Sequence, residues 1–434
     1  MIRELTRRYL FWFIDCCKGK PIGRHYQDIK KIFEDEEYAN IHTKKNISDL
    51  LCHASATTEH YKAYAGATKL TELPVLSKLE VKEHPELFLS SKYKNIQLHS
   101  MKTSGSTGFP LTIFQNASKR NRVLAELIYF GQLSGFKIGM KNIYFRLWTD
   151  EQKKSLLTAI MQNMVRVRVM NLDELHLEKM RNILHKNKNI KCIMGYASTL
   201  KLLSKYMLDK GDSPNMFQVE SIISMAEKLS DSTKKDLQAL FNCNVVSRYS
   251  NMENGVLAQE CPEENEFHLN HASYVFELLK LDSDEPAEPG ELGRIIITDL
   301  FNYAMPLIRY DTGDLGIQSE LVKCDLKSPV FKSVDGRQVD MMYDTKDCPI
   351  SPLCEFGLEE FDNLKQFQIV QTGKGEYLLN VNGAKGVYSD ESLLEVMKKS
   401  LGSDANITIV HLTEIPHLSS GKFKQNICTY KPEK

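Results

Sequence analysis

Two hydrophobic periods alternate along the middle of this chain. Val123, Leu124, Leu127, Ile128 and Phe130 recur at helical spacing within Lys119 to Leu133. Short β-like runs follow at Ile143-Tyr144-Phe145-Arg146-Leu147, Cys192-Ile193-Met194-Gly195-Tyr196, Ser221-Ile222-Ile223-Ser224 and Val245-Val246-Ser247, with helical stretches between them. That alternation predicts βαβ units and a largely parallel sheet flanked by helices. From Phe276 to Thr298 the pattern changes to two strands broken by Glu288-Pro289-Gly290-Glu291-Leu292-Gly293, a turn-rich antiparallel element.

The ends of the chain read differently. Residues 21 to 70 are charged and helix-like, and Ser77-Lys78 caps a helix before Leu79-Glu80-Val81. Beyond Asp340, strand-like Phe367-Gln368-Ile369-Val370 and Tyr377-Leu378-Leu379-Asn380-Val381 precede a helix from Asp390 to Leu401, capped by Ser389. Gly373-Lys374-Gly375 reads as the hairpin turn between those strands. The expected fold class is α/β: a large N-terminal domain of mostly parallel sheets flanked by helices (residues 1–338), then a small mobile α+β domain (339–434), hinged just after Arg337. Met1 to Lys20 places Arg3, Arg7 and Arg8 ahead of Tyr9-Leu10-Phe11-Trp12-Phe13-Ile14. Asp15 cuts this apolar run short, so a packed amphipathic helix is expected rather than a signal peptide, with contact at a membrane surface as the lesser alternative.

Composition narrows the class. A chain of 434 residues, 42% hydrophobic, can bury a large core. Lys+Arg and Asp+Glu both number 56, which removes the electrostatic footprint of a nucleic-acid binder. Ten cysteines, two of them adjacent at Cys16-Cys17, form no disulfide framework and suit a reducing, cytoplasmic compartment. No run of 18 uncharged apolar residues exists, so no membrane span is expected.

The densest chemical signal is Lys102-Thr103-Ser104-Gly105-Ser106-Thr107-Gly108-Phe109-Pro110. Its glycines let backbone N–H groups turn toward an anion, and its hydroxyls add donors, so the loop suits a phosphate. It is not a Walker A loop, because Phe109 stands where that motif needs lysine. A plain surface turn between strands is the competing reading. Three more segments follow: Tyr249-Ser250-Asn251-Met252-Glu253-Asn254-Gly255; Arg309-Tyr310-Asp311-Thr312-Gly313-Asp314-Leu315 with Asp335-Gly336-Arg337; and Ser419-Ser420-Gly421-Lys422-Phe423-Lys424.

In this order and at these separations the four segments resemble the adenylate-forming superfamily of acyl-CoA synthetases, most closely its short branch of phenylacetate-CoA ligases and CapK-like capsule-biosynthesis proteins. The resemblance runs from about residue 70 to the end. It implies that Thr103, Ser104, Gly105, Ser106, Thr107 and Gly108 hold the phosphates of ATP. It implies that Tyr249, Ser250, Asn251 and Met252 meet the adenine, and that Glu253 helps hold Mg²⁺. Asp314 then grips the ribose and Lys422 is the catalytic cation facing the α-phosphate; Arg337 can donate to the ribose or a phosphate from the opposite side. The sequence departs from the family's Tyr-Gly-x-[Ser/Thr]-Glu at Ser250 and Met252, while Glu253 keeps its spacing. Gly195-Tyr196-Ala197-Ser198 and Ala226-Glu227-Lys228-Leu229 resemble family positions lining the acyl pocket, which makes Tyr196, Ala197 and Glu227 candidates; a packed aromatic and a helix-start acid are the alternatives.

Each role also has a structural alternative. Asp314 fits a turn, Glu253 a helix cap, Arg337 a surface ion pair and Lys422 a solvated surface. Glu260-Cys261-Pro262 with His268 and Cys324 could suggest zinc, but the spacing is irregular and no Cys-x-x-Cys accompanies it. Two function classes result. One is an ATP- and Mg-dependent ligase that passes an acyl group to coenzyme A, or to an amine or hydroxyl of a surface-polysaccharide precursor. The other is a catalytically silent, nucleotide-binding relative. Retention of Glu253, Asp314, Arg337 and Lys422 together favours the enzyme, for which a homodimer is admitted.

Overall fold

The computed structural model describes residues 2–102, 111–146, 148, 156–169, 174–319, 326–337, 342–350, 356, 358, 361, 364–383, 389–415 and 425–430. The chain forms two compact units, Met1–Thr312 with Gly316–Val334, and Gly313–Leu315 with Asp335–Lys434.

The first unit opens with helices α1 (Ile2–Cys17), α2 (Pro21–Glu34) and α3 (Glu36–Thr57), then the short α4 (Lys78–Glu83) and α5 (Pro85–Phe88). Ser77 starts α4 with a capping box, its hydroxyl accepting from Glu80 N while the Glu80 carboxylate accepts from Ser77 N. A two-stranded antiparallel ladder of β1 (His99–Lys102) and β2 (Thr112–Gln115) comes next, closing at Lys102↔Thr112. The Ser/Thr/Gly loop connects those paired ends, and residues 103–110 lie outside the described residues.

After α6 (Ala117–Leu133) the chain builds a sheet from β3 (Asn142–Arg146), β4 (Met164–Arg168), β5 (Cys192–Tyr196), β6 (Ser221–Met225) and β7 (Asn244–Asn251), all parallel. Helices α7 (Leu156–Met161), α8 (Glu174–Lys186), α9 (Ala197–Asp209) and α10 (Asp231–Phe241) alternate with these strands as the periodicity predicts. Ile143, Phe145, Ile193, Ile222 and Val245 point from one sheet face into a core shared with Leu177, Met180, Leu200, Leu203, Leu237 and Leu240 of α8, α9 and α10. Burying these side chains, at roughly 1.5–3 kcal/mol each, is what holds helices to sheet. The strand order β7-β6-β5-β3-β4 reverses direction at β3 and β5. The carboxyl ends of those strands are where doubly wound sheets place ligands.

The sheet continues through β8 (Gly255–Glu260), β9 (Phe267–Leu269), β10 (Tyr274–Leu279), β11 (Leu292–Asp299), β12 (Tyr310–Gln318) and β13 (Val330–Arg337), in the order β10-β11-β12-β13-β9-β8-β7. The β7·β8, β8·β9 and β10·β11 ladders are antiparallel, the last being the element expected from Phe276 to Thr298. A second core gathers Leu50, Leu51, Tyr61, Leu76, Phe88, Leu111, Ile113, Ile295, Ile297 and Tyr310.

The second unit has its own core, with Phe367, Ile369, Leu379 and Val381 packed on Leu393, Met397 and Leu401. It holds β14 (Met342–Tyr343) and β15 (Pro349–Ile350), the long β16 (Leu364–Gly373) and β17 (Glu376–Gly383), helix α11 (Asp390–Leu401), β18 (Asn406–His411) and β19 (Asn426–Cys428). The Ser389 hydroxyl caps α11 by accepting from Ser392 N. Gly375, at φ 65°, turns the β16–β17 hairpin.

The first helix packs on α2 as expected but leaves much apolar surface outside. Asp15 is its only buried residue, while Ile2, Tyr9, Leu10 and Phe13 face outward. Trp12 packs on Tyr26 of α2 with ring centroids 5.6 Å apart, and Arg7, Arg8 and Asp15 add polar contacts with the body. Among the described residues no helix is long and apolar enough to cross a membrane.

Candidate functional site

Glu253 lies in the turn between β7 and β8, not at a helix end as one structural alternative had it. Its side chain is 6% exposed. Carboxylate Oε1 accepts from Lys78 Nζ at 2.8 Å and from the Tyr310 hydroxyl at 3.4 Å. Oε2 takes no hydrogen bond from the described residues, which leaves an acceptor for a hard cation. Two backbone bonds set this arrangement: Leu76 N donates to Arg309 O and Asp311 N donates to Leu76 O, at 2.8 and 2.9 Å. The segment entering α4 is thereby pinned beside β12, and Lys78, two residues on, reaches the same carboxylate as Tyr310.

The β1–β2 hairpin that carries the Ser/Thr/Gly loop is tied to this turn. Gln115, the last residue of β2, donates from Nε2 to the Glu253 carbonyl at 2.8 Å, and Asn302 Nδ2 donates to Phe114 O at 3.1 Å. Glu253 and the base of the hairpin bearing the 103–108 loop are therefore fixed to each other, although the loop itself lies outside the described residues.

A buried polar network supports the turn from below. Asn254 N donates to Asn251 Oδ1 at 2.9 Å, and the Asn254 carbonyl accepts from the Tyr274 hydroxyl at 2.9 Å. Tyr274 in turn accepts from Lys119 Nζ at 2.9 Å, and Lys119 pairs with Asp299 at 2.8 Å with both side chains at most 1% exposed. Glu126 lies under Gly255, whose φ is +131° and whose absent Cβ would fall 2.8 Å from Glu126 Oε2. Any side chain there would strike a buried carboxyl. Burial pushes the Glu126 carboxyl above its ordinary range, opposed by the Lys119 and Arg122 cations.

The remaining candidates are distributed as follows. Tyr249, Ser250 and Asn251 close β7, where a register shift between Tyr249 and Ser250 bends the strand into the turn that begins at Met252. Asp314 is half-buried in β12 and follows Gly313, which the strand accommodates at φ +75°. Arg337 ends β13, and Lys422 lies outside the described residues. Tyr196 and Ala197, both buried, join β5 to α9 at the sheet's carboxyl edge. Glu227 Oε2 accepts from Ser198 N at 2.8 Å, so its charge sits at the amino end of α9. Just before it Ala226 holds φ +72°, a left-handed conformation that alanine adopts only at a cost.

Cys261 is buried, and His268 Nδ1 is 2.7 Å from the Ser328 hydroxyl. No metal-ligating cluster occurs among the described residues, and Cys324 lies outside them. Sequence reasoning missed Lys78, read only as the start of a helix, together with Gln115, Tyr310 and the Lys119–Tyr274–Asp299 group. The one available signal was the Leu73-Pro74-Val75-Leu76-Ser77-Lys78 entry itself, whose lysine follows the cap directly.

No family profile matches the sequence. Protein CapK of Staphylococcus aureus is 24% identical over 427 residues, covering 93% of this chain and 92% of that protein. Phenylacetate-coenzyme A ligase of Thermus thermophilus is 25% identical over 299 residues, 65% of this chain and 64% of the relative. Among solved structures, 2-hydroxyisobutyryl-CoA ligase in the postadenylation state in complex with R3-HIB-AMP superposes with a TM-score of 0.72 at 14% identity, covering 92% and 91% of the two chains. Over most of its length this chain is thus similar to protein CapK, over about two thirds of it to a phenylacetate-coenzyme A ligase, and it shares the fold of 2-hydroxyisobutyryl-CoA ligase.

Proposed function

We propose that the protein activates a carboxylic acid with ATP and Mg²⁺ and passes the acyl group to a nucleophile, coenzyme A in the leading reading. In the first step a carboxylate oxygen attacks the α-phosphorus, and the bond to the bridging oxygen of pyrophosphate breaks. In the second the nucleophile attacks the acyl carbon and AMP leaves. The observation carrying this reading is Glu253, whose side chain is 6% exposed, held by Lys78 and fastened through Gln115 to the hairpin of the Ser/Thr/Gly loop.

Joining two anions demands positioning and charge neutralisation. Residues 103–108 supply amides and hydroxyls to the phosphates, and Lys78 supplies a cation beside Glu253. Glu253 is the protein ligand suited to Mg²⁺, which when bound neutralises phosphate charge. Tyr249, Ser250, Asn251 and Met252 line the adenine side; Asp314 and Arg337 hold the ribose; Lys422 faces the α-phosphate. Tyr196, Ala197 and Glu227 border the acid, at the carboxyl edge of β5 and β6.

The CapK relative spans 93% of this chain against 65% for the phenylacetate ligase. That difference supports a second reading in which the acceptor is an amine or hydroxyl of a surface-polysaccharide precursor. A panel of carboxylic acids assayed for pyrophosphate release with ATP and Mg²⁺, repeated with hydroxylamine, tests the first step; adding coenzyme A or amino sugars separates the acceptors. ATP binding without pyrophosphate release for any acid would make the protein a silent nucleotide-binding relative.

A further inference from the structure

We propose that α1 is a docking helix for an anionic lipid surface. At about 3.6 residues per turn, positions 2, 5, 6, 9, 10, 13, 16 and 17 share one side of this helix. All eight are exposed, and they are Ile2, Leu5, Thr6, Tyr9, Leu10, Phe13, Cys16 and Cys17. Ile2, Tyr9 and Phe13 are 79%, 71% and 66% exposed. Arg7, Arg8 and Asp15 turn inward, beside Phe11, Trp12 and Ile14. Asp15 accepts from Ile22 N and Gly23 N at 2.9 and 2.8 Å, Arg7 donates to Ile160 O at 2.6 Å, and Arg8 donates to Ile138 O at 3.1 Å. The inward side already has its own apolar residues in Phe11, Trp12 and Ile14, so the exposed stripe is surplus to packing and gains free energy only when something apolar covers it.

Charge selects the occupant. Arg3 at one end of the stripe and Lys18, Lys20 and Arg24 beyond the other are exposed. The two acids of residues 2–24, Glu4 and Asp15, lie on the inward side, Asp15 buried and Glu4 partly so. An apolar face whose exposed flanking charges within residues 2–24 are cations, with Tyr9 and Phe13 at its centre, matches the boundary between headgroups and acyl chains of an anionic bilayer. A second copy fits worse: pairing two such stripes, parallel or antiparallel, sets Arg3 against Arg3 or against Lys18 and Lys20.

The test is cosedimentation of the full-length chain with vesicles of phosphatidylcholine, with and without about 30% phosphatidylglycerol. Binding to the anionic vesicles that weakens with added salt is expected. The double variant Tyr9→Ser, Phe13→Ser, checked for an unchanged circular-dichroism spectrum, loses that binding by about tenfold or more. Arg3→Ala with Lys18→Ala and Lys20→Ala should remove the preference for phosphatidylglycerol. No binding to either vesicle, or full binding by the double variant, overturns the proposal. So does a dimer, seen by sedimentation velocity, that the same double variant dissociates.

Discussion

Lys78 Nζ lies 2.8 Å from Glu253 Oε1, joining residues 175 apart in sequence. The pair puts one positive and one negative charge at the base of the hairpin bearing residues 103–110, which is what the proposed binding of a polyanion with its cation would use. Replacing Lys78 by Ala or Glu253 by Gln is expected to slow pyrophosphate release by about 10- to 100-fold each, the scale of one charge-assisted contact. Because the two groups touch, their effects should not add, and a double variant no worse than the poorer single one is the expected outcome. Wild-type rates in both singles would exclude this turn from the site.

Lys119→Met probes the network beneath. It leaves the Asp299 carboxylate, 1% exposed, without its ammonium partner. A loss of about 3–5 kcal/mol in unfolding free energy is expected from urea titration, because the stranded charge keeps its desolvation cost. A loss below about 1 kcal/mol would show that water or the amides of Phe301 and Asn302 suffice for Asp299.

Ala226→Gly has the opposite sign. At φ +72° the alanine Cβ crowds its own backbone, by about 1–2 kcal/mol, and glycine recovers this less its greater freedom when unfolded. A gain of up to about 1 kcal/mol is expected, read as a higher urea midpoint. A lower midpoint would mean that the methyl group packs well enough to outweigh the strain.

Acid should weaken the fold before the carboxylates titrate. Burial, and then the Arg122 cation, hold the His25 imidazole down from 6.5 to about 4, with Asp28 pulling the other way. The unfolded chain takes up its proton as pH falls through 6.5 and the folded chain only near 4, so this stability is complete above 6.5 and drains away toward 4. His53, His60, His268 and His271 are lowered in the same direction, mainly by burial. Urea midpoints should fall from about pH 7 to about pH 5, less steeply in His25→Gln. A midpoint that rises over that range would refute the assignment.

Local physics made much of the fold legible in the sequence. Period-two and period-3.6 runs found β5 and β6, the body of α6, the hairpin of β16 and β17, and α11 with its Ser389 cap, because each depends on neighbours within a few residues. The Tyr249 to Glu253 and Thr312 to Asp314 segments were equally visible, since a short motif keeps its spacing wherever the chain carries it. Tertiary structure alone decided who meets whom. Lys78 reaches Glu253 because Leu76 bridges to Tyr310, and Glu126 lies under Gly255 because α6 packs beneath the β7–β8 turn. The direction in which α1 faces was hidden for the same reason. Its pattern specifies two faces, but which one meets the body is set by partners outside the helix: Tyr26 against Trp12, and carbonyls at Ile138 and Ile160 that accept from Arg8 and Arg7. Periodicity is local, while burial is a property of the assembled chain.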